Sequence, residues 1–378
     1  MKNRLLLILS LIIACLMTAC DDNDKQEISP LHVLRSSIDF TAVGGVFDIE
    51  VEATGELTAS SGAEWCRVIE ITPEKVTIMA RTNTEYAGRA TRLTISDGVH
   101  TEIVSVTQQG DIFAPQTDNQ VMRLDNKATT IPIKINSSFN YTVALSTGTD
   151  WIKVKEVDNG FTVSLDENTT GTPRAGIVRV KTDQGRYFDY TIYQYDVEQL
   201  IGEWRKGVLY TFWNDHIISD GIGLSSSPVT ISSTEEDPGY TLAFPLTNTL
   251  IGDAMQDPSK ATLHLHASYE NGVFVVNSMQ EQEGFTMDIE ETDPDNEGEV
   301  TTKTVYGNVV LVSDNSFIST GAIGIAPVLY DGQLILTYVD VPTTPSRNNA
   351  FLSLCFFSES DSPALEDYIL FAGLEIYR

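Results

Sequence analysis

The chain is short of cysteine, with four in 378 residues. That excludes a disulfide-stapled scaffold, and no two cysteines stand as Cys-x-x-Cys, the usual half of a zinc site. It is also short of positive charge. Twenty-four Lys and Arg face 53 Asp and Glu, a formal balance of −29. Nucleic-acid binding needs cations to displace counterions from phosphate, so that class is set aside, as is electrostatic docking on anionic lipid. Past residue 19 no apolar run approaches the roughly 18 residues of a membrane-spanning helix. The sequence has no Gly-x-Ser-x-Gly elbow, no His-Glu-x-x-His and no phosphate-cradling glycine loop. What it does have is 42% hydrophobic residues, enough to build real cores.

The first twenty residues speak to location. Met1-Lys2-Asn3-Arg4 is a short basic stretch, and Leu5 to Met17 is almost wholly apolar. Together they form the pattern of a secretory signal. Leu16-Met17-Thr18-Ala19-Cys20 resembles the lipobox of bacterial lipoproteins. The resemblance implies cleavage after residue 19 and lipidation of Cys20. Acyl chains contribute about 0.8 kcal/mol per buried CH₂, enough in a multiply acylated cysteine for lasting anchoring without a spanning helix. The acidic run Asp21-Asp22-Asn23-Asp24, within a linker over 20–30, looks like the surface-export signal of Bacteroidetes lipoproteins. The expectation is an outer-membrane protein exposed at the cell surface, touching the membrane only through its lipid.

Next comes a repeat. Gly62-Ala63-Glu64-Trp65 returns as Gly148-Thr149-Asp150-Trp151. Asn83 returns as Asn168, Arg89-Ala90 as Arg174-Ala175, and Val106-Thr107-Gln108 as Ile192-Tyr193-Gln194. The offset stays at 85 or 86 throughout. Both copies read as short strands with period-two alternation. Phe47, Ile49 and Val51 alternate with Asp48, Glu50 and Glu52, as Ile131, Ile133 and Ile135 do with Pro132, Lys134 and Asn136. Turn signals such as Gly44-Gly45, Asp97-Gly98 and Asn159-Gly160 separate the strands. This predicts an all-β protein with two immunoglobulin-like sandwiches in tandem, over 31–111 and 113–197, whose cores are plugged by Trp65 and Trp151.

A Gly-Gly turn, a Gly-x-x-Trp, an Asn, an Arg-Ala and a closing Val-x-Gln-x-Gly (Val106 to Gly110) together resemble the BACON domain. The second copy is more divergent: it lacks the Gly-Gly turn and ends in Gln194-Tyr195-Asp196. The resemblance implies an immunoglobulin-like fold in surface lipoproteins of gut Bacteroidetes, with a role either in carbohydrate binding or as a rigid spacer. Cys66 aligns with Ile152 and reads as a small buried hydrophobe, and Cys355 lies in another apolar run, so no disulfide joins them.

Residues 198–378 continue as strands, about nine of them, which predicts a larger β-domain, a barrel or jelly-roll. Gly202-Glu203-Trp204 at its start and Arg378 at its end look like the cation-on-indole closure of lipocalin-type folds.

Several groups are candidates for chemistry. Tyr187, Tyr193 and Tyr195 share one parity on a strand, opposite Phe188, Tyr190 and Ile192. They would either offer stacking faces to a sugar or, the favoured reading, meet the next domain. Trp213, Asn214 and Asp215 put an aromatic beside amide and carboxylate groups, a combination suited to sugars. His264 and His266 share a strand face and, with His216, resemble metal ligands, although two polar residues on a wet face is the plainer reading. Asp293, Asp295 and Glu297 with Gly298 have the spacing of a calcium loop, but Thr304 at the twelfth position cannot close it, which favours a plain acidic hairpin tip. No cofactor is required. The leading expectation is a non-catalytic surface lipoprotein whose C-terminal domain binds an extracellular glycan within a polysaccharide-utilisation system. The alternatives are a structural or adhesive protein with a protein partner, and a hydrolase built on two of the many carboxylates in 198–378.

Overall fold

A computed structural model describes residues 31–116, 119–213, 216–217, 228–235, 239–246, 250–292, 300–313, 316–341, 350–358 and 365–378. The chain forms two compact units. The first holds the N-terminal sandwich, and the second holds the rest from about residue 115, apart from a short stretch at 136–140. No helix among the described residues is long and apolar enough to cross a membrane.

In the first sandwich, one sheet places Lys75–Ala80 between Gly45–Glu52 and Cys66–Ile71. The other places Arg89–Ser96 between Thr58–Ser61 and Thr101–Gln108, with Ser37–Phe40 running parallel to that last strand. The alternation seen in the sequence becomes the core: Ile49, Val51, Ile78, Leu93, Ile95, Val104 and Val106 are buried together, while Asp48, Glu50 and Glu52 face water. Cys66 is buried among them.

The second sandwich repeats this order. Gly160–Leu165 lies between Thr129–Ser137 and Ile152–Val157. Arg174–Thr182 lies between Tyr141–Thr147 and Tyr187–Gln194, and Val121–Leu124 runs parallel to the last strand. Phe161, Val163, Val178, Val180, Tyr190 and Ile192 are fully buried.

The repeated motif residues form the same cluster twice. Arg89 lies over the Trp65 ring at 4.7 Å from its centroid and donates from Nε to Gln108 Oε1 at 2.8 Å. Gln108 donates to the Thr41 and Arg81 carbonyls, and Asn83 donates to those of Ala87 and Gln109. Arg174 lies over Trp151 at 4.3 Å and donates to Gln194 Oε1 at 3.0 Å, while Asn168 donates to the Thr172 carbonyl. Trp151 is buried as expected, whereas Trp65 is only half-buried and packs at the rim of its core with the guanidinium over its face. The Trp–Arg–Gln–Asn set therefore ties strand ends to the neighbouring turn. It stabilises the fold. Gly110 in the first copy is fixed by space, because a Cβ there would stand 2.0 Å from the Tyr86 carbonyl oxygen. In the second copy the equivalent position is Asp196, which opens the short 3₁₀ turn Val197–Gln199 leading into the next domain.

Between residues 202 and 377 the described strands form one sheet of 14, with a main core and a second, smaller cluster of Val273, Val275, Ala326 and Val341. Its path runs from Gly202–Trp204 through Val229–Ser233, Tyr240–Pro245, Thr262–Glu270, Val273–Asn277, Ala322–Tyr330 and Gln333–Val339. It then passes through Leu365–Tyr377, Phe351–Ser358 and Val300–Ser313 to Gln280–Thr292. Ala322–Tyr330 was not foreseen as a strand, because Gly324 and Pro327 interrupt its sequence signal. The cation-on-indole pair is present, with Arg378 at 5.0 Å from the Trp204 centroid. The closure of a barrel is not seen among the described residues: the two ends of the strand path, Gly202–Trp204 and Gln280–Thr292, do not pair with each other.

One seam of this domain is joined by side chains. Gln282 accepts from the His264 N–H at 2.8 Å and donates to the His264 carbonyl at 2.9 Å. Gln280 does the same for His266 at 2.9 and 2.7 Å. Two amide side chains thus take the place of backbone partners for His264 and His266 on one edge of Thr262–Glu270, whose other edge pairs with Tyr240–Pro245.

Candidate functional site

The second sandwich and the C-terminal domain share a hydrophobic core. Tyr193 and Tyr195, on the last strand of the sandwich, are 4% and 2% exposed and belong to the same cluster as Leu200, Trp204 and Phe274. Tyr193 Oη accepts from the Leu329 N–H at 3.1 Å, and Tyr195 Oη donates to the Gly272 carbonyl. Each contact lands beside a tight hairpin. Asn271-Gly272 and Asp331-Gly332 both have positive φ in both residues (49° and 83°, 45° and 77°), the signature of a type I′ turn. Gly272 is further restricted, since a Cβ would stand 2.7 Å from Arg123 Cβ.

Beside this contact lies a cleft of about 280 Å³. The sandwich supplies Arg123, Leu124 and Asp125 from the strand running parallel to its last one, then Tyr195, Asp196, Val197 and Glu198. The C-terminal domain supplies Tyr269 and the Asn271-Gly272 turn. Tyr269 is half-buried, packed against Tyr240 and Phe274 at ring separations of 6.0 and 5.2 Å. Burial first, then the neighbouring Tyr195 and Asp196, hold its phenol protonated far above neutrality. Asp196 is oriented by Asn126, which donates to it at 2.8 Å. Arg123 lies over the Tyr193 ring at 5.2 Å, and its Nε–H has no hydrogen-bond acceptor among the described residues. Two phenols, three carboxylates, one guanidinium and one amide therefore converge on a small concave space. This is the mixed donor–acceptor and aromatic lining that orients a polyol. Two larger depressions, of about 520 and 450 Å³, lie on the first sandwich, and neither has an aromatic wall.

The sequence candidates divide as follows. Tyr193 and Tyr195 are not free stacking faces. Burial against the next domain takes up their rings, as the favoured reading expected, although Tyr195 still borders the cleft. Tyr187 is exposed at 59%, with Arg179 over its ring at 4.4 Å and that guanidinium paired to Asp189 at 2.8 Å. Trp213 ends the strand Lys206–Trp213, paired with His216 and Ile369. Asn214, Asp215, Asp293, Asp295 and Glu297 lie outside the described residues, as does Cys20. His264 and His266 share a face, their rings stacked 6.4 Å apart, and His266 Nδ1 is 3.0 Å from Thr241 Oγ1. Burial and its neighbour His266 lower the pKa of His264. No group of three His, Cys, Asp or Glu among the described residues is placed to hold a metal ion. Arg123, Tyr269 and Gly272 were not anticipated. The available signal was the pair of Asn-Gly and Asp-Gly dipeptides between alternating runs, which marks the hairpins that dock on the sandwich.

No curated protein matches the chain. Among solved structures, an endo-fucoidan hydrolase of glycoside hydrolase family 107 aligns at 12% identity, covering 43% of this chain and 27% of that one, with a TM-score of 0.22. A Bacteroides ovatus GH5 xyloglucanase in complex with a XXXG heptasaccharide aligns at 25% identity over 26% of this chain and 22% of that one, with a TM-score of 0.21. The titin I-band fragment I67-I69 aligns at 7% identity over 88% and 95%, with a TM-score of 0.26. The chain thus spans about a quarter of the length of the hydrolases it matches, and at these scores the likenesses carry no argument about its activity. The firmer finding is local: residues 55–109, most of the first sandwich, match the model of the BACON family, described as "Putative binding domain, N-terminal".

Proposed function

We propose that this is a non-catalytic, lipid-anchored surface protein that captures an extracellular glycan at the seam between its second sandwich and its C-terminal domain. The observation that carries the reading is the cleft itself, where Tyr195 and Tyr269 stand with Arg123, Asp125, Asp196, Glu198 and Asn271. Sugars need flat apolar faces for their C–H surfaces and charged or amide groups for their hydroxyls; here the half-buried Tyr269 supplies the ring and the carboxylates and Asn271 the polar groups. A BACON match in the first sandwich fits a binding protein. The repeated strand order and the repeated Trp–Arg–Gln–Asn cluster support a second domain of the same kind over 113–197, here fused to the domain it presents. The first sandwich, with its acidic outer faces, serves as the spacer. Cys20 carries the lipid, and the acidic linker leads the chain to the outside of the outer membrane.

Affinity electrophoresis of the mature chain through gels containing neutral plant or host polysaccharides tests the capture. Retardation by at least one glycan is expected, weakened by Tyr269→Phe and by Glu198→Gln, both of which spare the core. If no glycan retards the folded protein, the glycan reading fails and a protein partner takes its place. Fractionation tests the anchor separately. Cys20→Ala should shift the chain out of the membrane fraction, and protease added to intact cells should remove the wild-type chain.

A further inference from the structure

We infer that Asn271 is a site of spontaneous deamidation gated by docking: it converts to isoaspartate while the hairpin that carries it is off the second sandwich, and the product can no longer dock.

The chemistry is set by the sequence. In Asn-Gly the glycine amide nitrogen attacks the carbonyl carbon of the asparagine side chain, because the glycine has no side chain to stand in the way. That nitrogen gives up its proton, the side-chain amide leaves as ammonia, and a succinimide ring forms. Water then opens the ring at either carbonyl, leaving aspartate or isoaspartate. No other reactant is needed. The chain has two such dipeptides, Asn159-Gly160 and Asn271-Gly272.

The structure separates them. Asn159-Gly160 belongs to the second sandwich alone, where Gly160 opens a central strand and pairs with Lys134 on one side and Val157 on the other. Asn271-Gly272 is the tip of a hairpin closed by Glu270 and Val273, so the Gly272 nitrogen lies outside the closing hydrogen bonds. Asn271 is exposed on the cleft, within reach of water. What restrains it is the other domain. Ring closure swings the Asn271–Gly272 peptide about the asparagine Cα–C bond, and Gly272 must move with it. The Gly272 carbonyl accepts from Tyr195 Oη, and a Cβ on Gly272 would stand 2.7 Å from Arg123 Cβ. Both restraints come from the sandwich, and both are lost when the hairpin lifts.

The product does not fit back. Isoaspartate routes the main chain through the former side chain, which adds a methylene to a two-residue turn whose glycine has no slack against Arg123. It also adds a negative charge to a lining that already holds Asp196 and Glu198.

Incubation of the mature chain at mildly alkaline pH, followed by peptide mapping with mass spectrometry, tests this with Asn159 as the internal reference. In urea both sites should convert at similar rates. In the folded chain both should be slower by about tenfold or more, since reaction waits on local opening. Tyr195→Phe should speed Asn271 about fivefold, the change in opening that one lost hydrogen bond gives, and leave Asn159 unchanged. Chains deamidated at Asn271, separated by anion exchange on their added charge, should be cut faster at Val197–Gln199. If Asn271 converts in the native chain as fast as in urea, docking does not restrain it and the gating is refuted. No acceleration in Tyr195→Phe, or equal acceleration at both sites, refutes it as well. Deamidated chains as resistant to protease as intact ones would show that the product redocks.

Discussion

The amide seam along Thr262–Glu270 makes a sharp prediction. Gln282 is only 4% exposed, and its two side-chain atoms serve both backbone groups of His264. In Gln282→Met the size is kept and both bonds are lost. An unsatisfied buried backbone group costs about 1–3 kcal/mol. His264 is half-buried, so water recovers part of that, and a total of about 2–3 kcal/mol is expected. Gln282→Glu is the more telling change. Its carboxylate could still accept from the His264 N–H, but it would face the His264 carbonyl at the 2.9 Å where an N–H now donates, with the Gln280 and Glu281 carbonyls beyond. Only the protonated acid restores the donor. A penalty of about 3 kcal/mol on the charged form corresponds to roughly two pH units, lifting the carboxyl from its usual ~4.3 to about 6.5 in the folded state. Between those two values the folded state holds more protons than the unfolded one, so stability relative to wild type falls as pH rises. The deficit should be near its minimum at about pH 4 and complete above about pH 7. Urea unfolding of the second unit across that range measures it, and amide exchange at His264 and His266 localises it. A Gln282→Glu curve parallel to wild type, or a Gln282→Met loss below about 0.5 kcal/mol, would refute the claim that these side chains act as a strand.

Other consequences are more local. Arg89→Ala should remove the cover of Trp65 and the bond to Gln108, costing about 2–3 kcal/mol in the first unit, while Arg174→Ala does the same only in the second. Separate unfolding transitions, followed by tryptophan fluorescence, would show which unit moved, and a shift in both would contradict the two-unit description. Tyr195→Phe removes one buried hydrogen bond to Gly272 and should cost about 1 kcal/mol, with loosening confined to the contact between sandwich and C-terminal domain. Proteolysis at the Val197–Gln199 turn reports it, and unchanged cutting would count against the contact. Burial pushes the Cys355 thiol up to about 11 and the Cys66 thiol upward as well. Neither should react with iodoacetamide at pH 8 until the protein is unfolded, and rapid labelling of the native chain would contradict their burial.

The sequence alone was sufficient for whatever depends on local period and exact repetition. Alternating residues such as Ile49 and Val51, or Ile133 and Ile135, declare strands with one wet face, and the recurring Trp, Arg, Asn and Gln declare one sandwich made twice. Even the burial of Tyr193 and Tyr195 was half legible, because their parity set them apart from the core residues Tyr190 and Ile192, although nothing local could say what would cover them. The cleft was decided by tertiary structure alone. Arg123, Tyr195, Tyr269 and Gly272 come from four strands or turns up to about 150 residues apart, brought together by the docking of the Asn271-Gly272 hairpin. The Gln280 and Gln282 seam is the same kind of fact. A glutamine on a strand looks like a solvent-facing residue until the edge it satisfies is in place, because a hydrogen bond between distant segments leaves no period in the sequence for either partner.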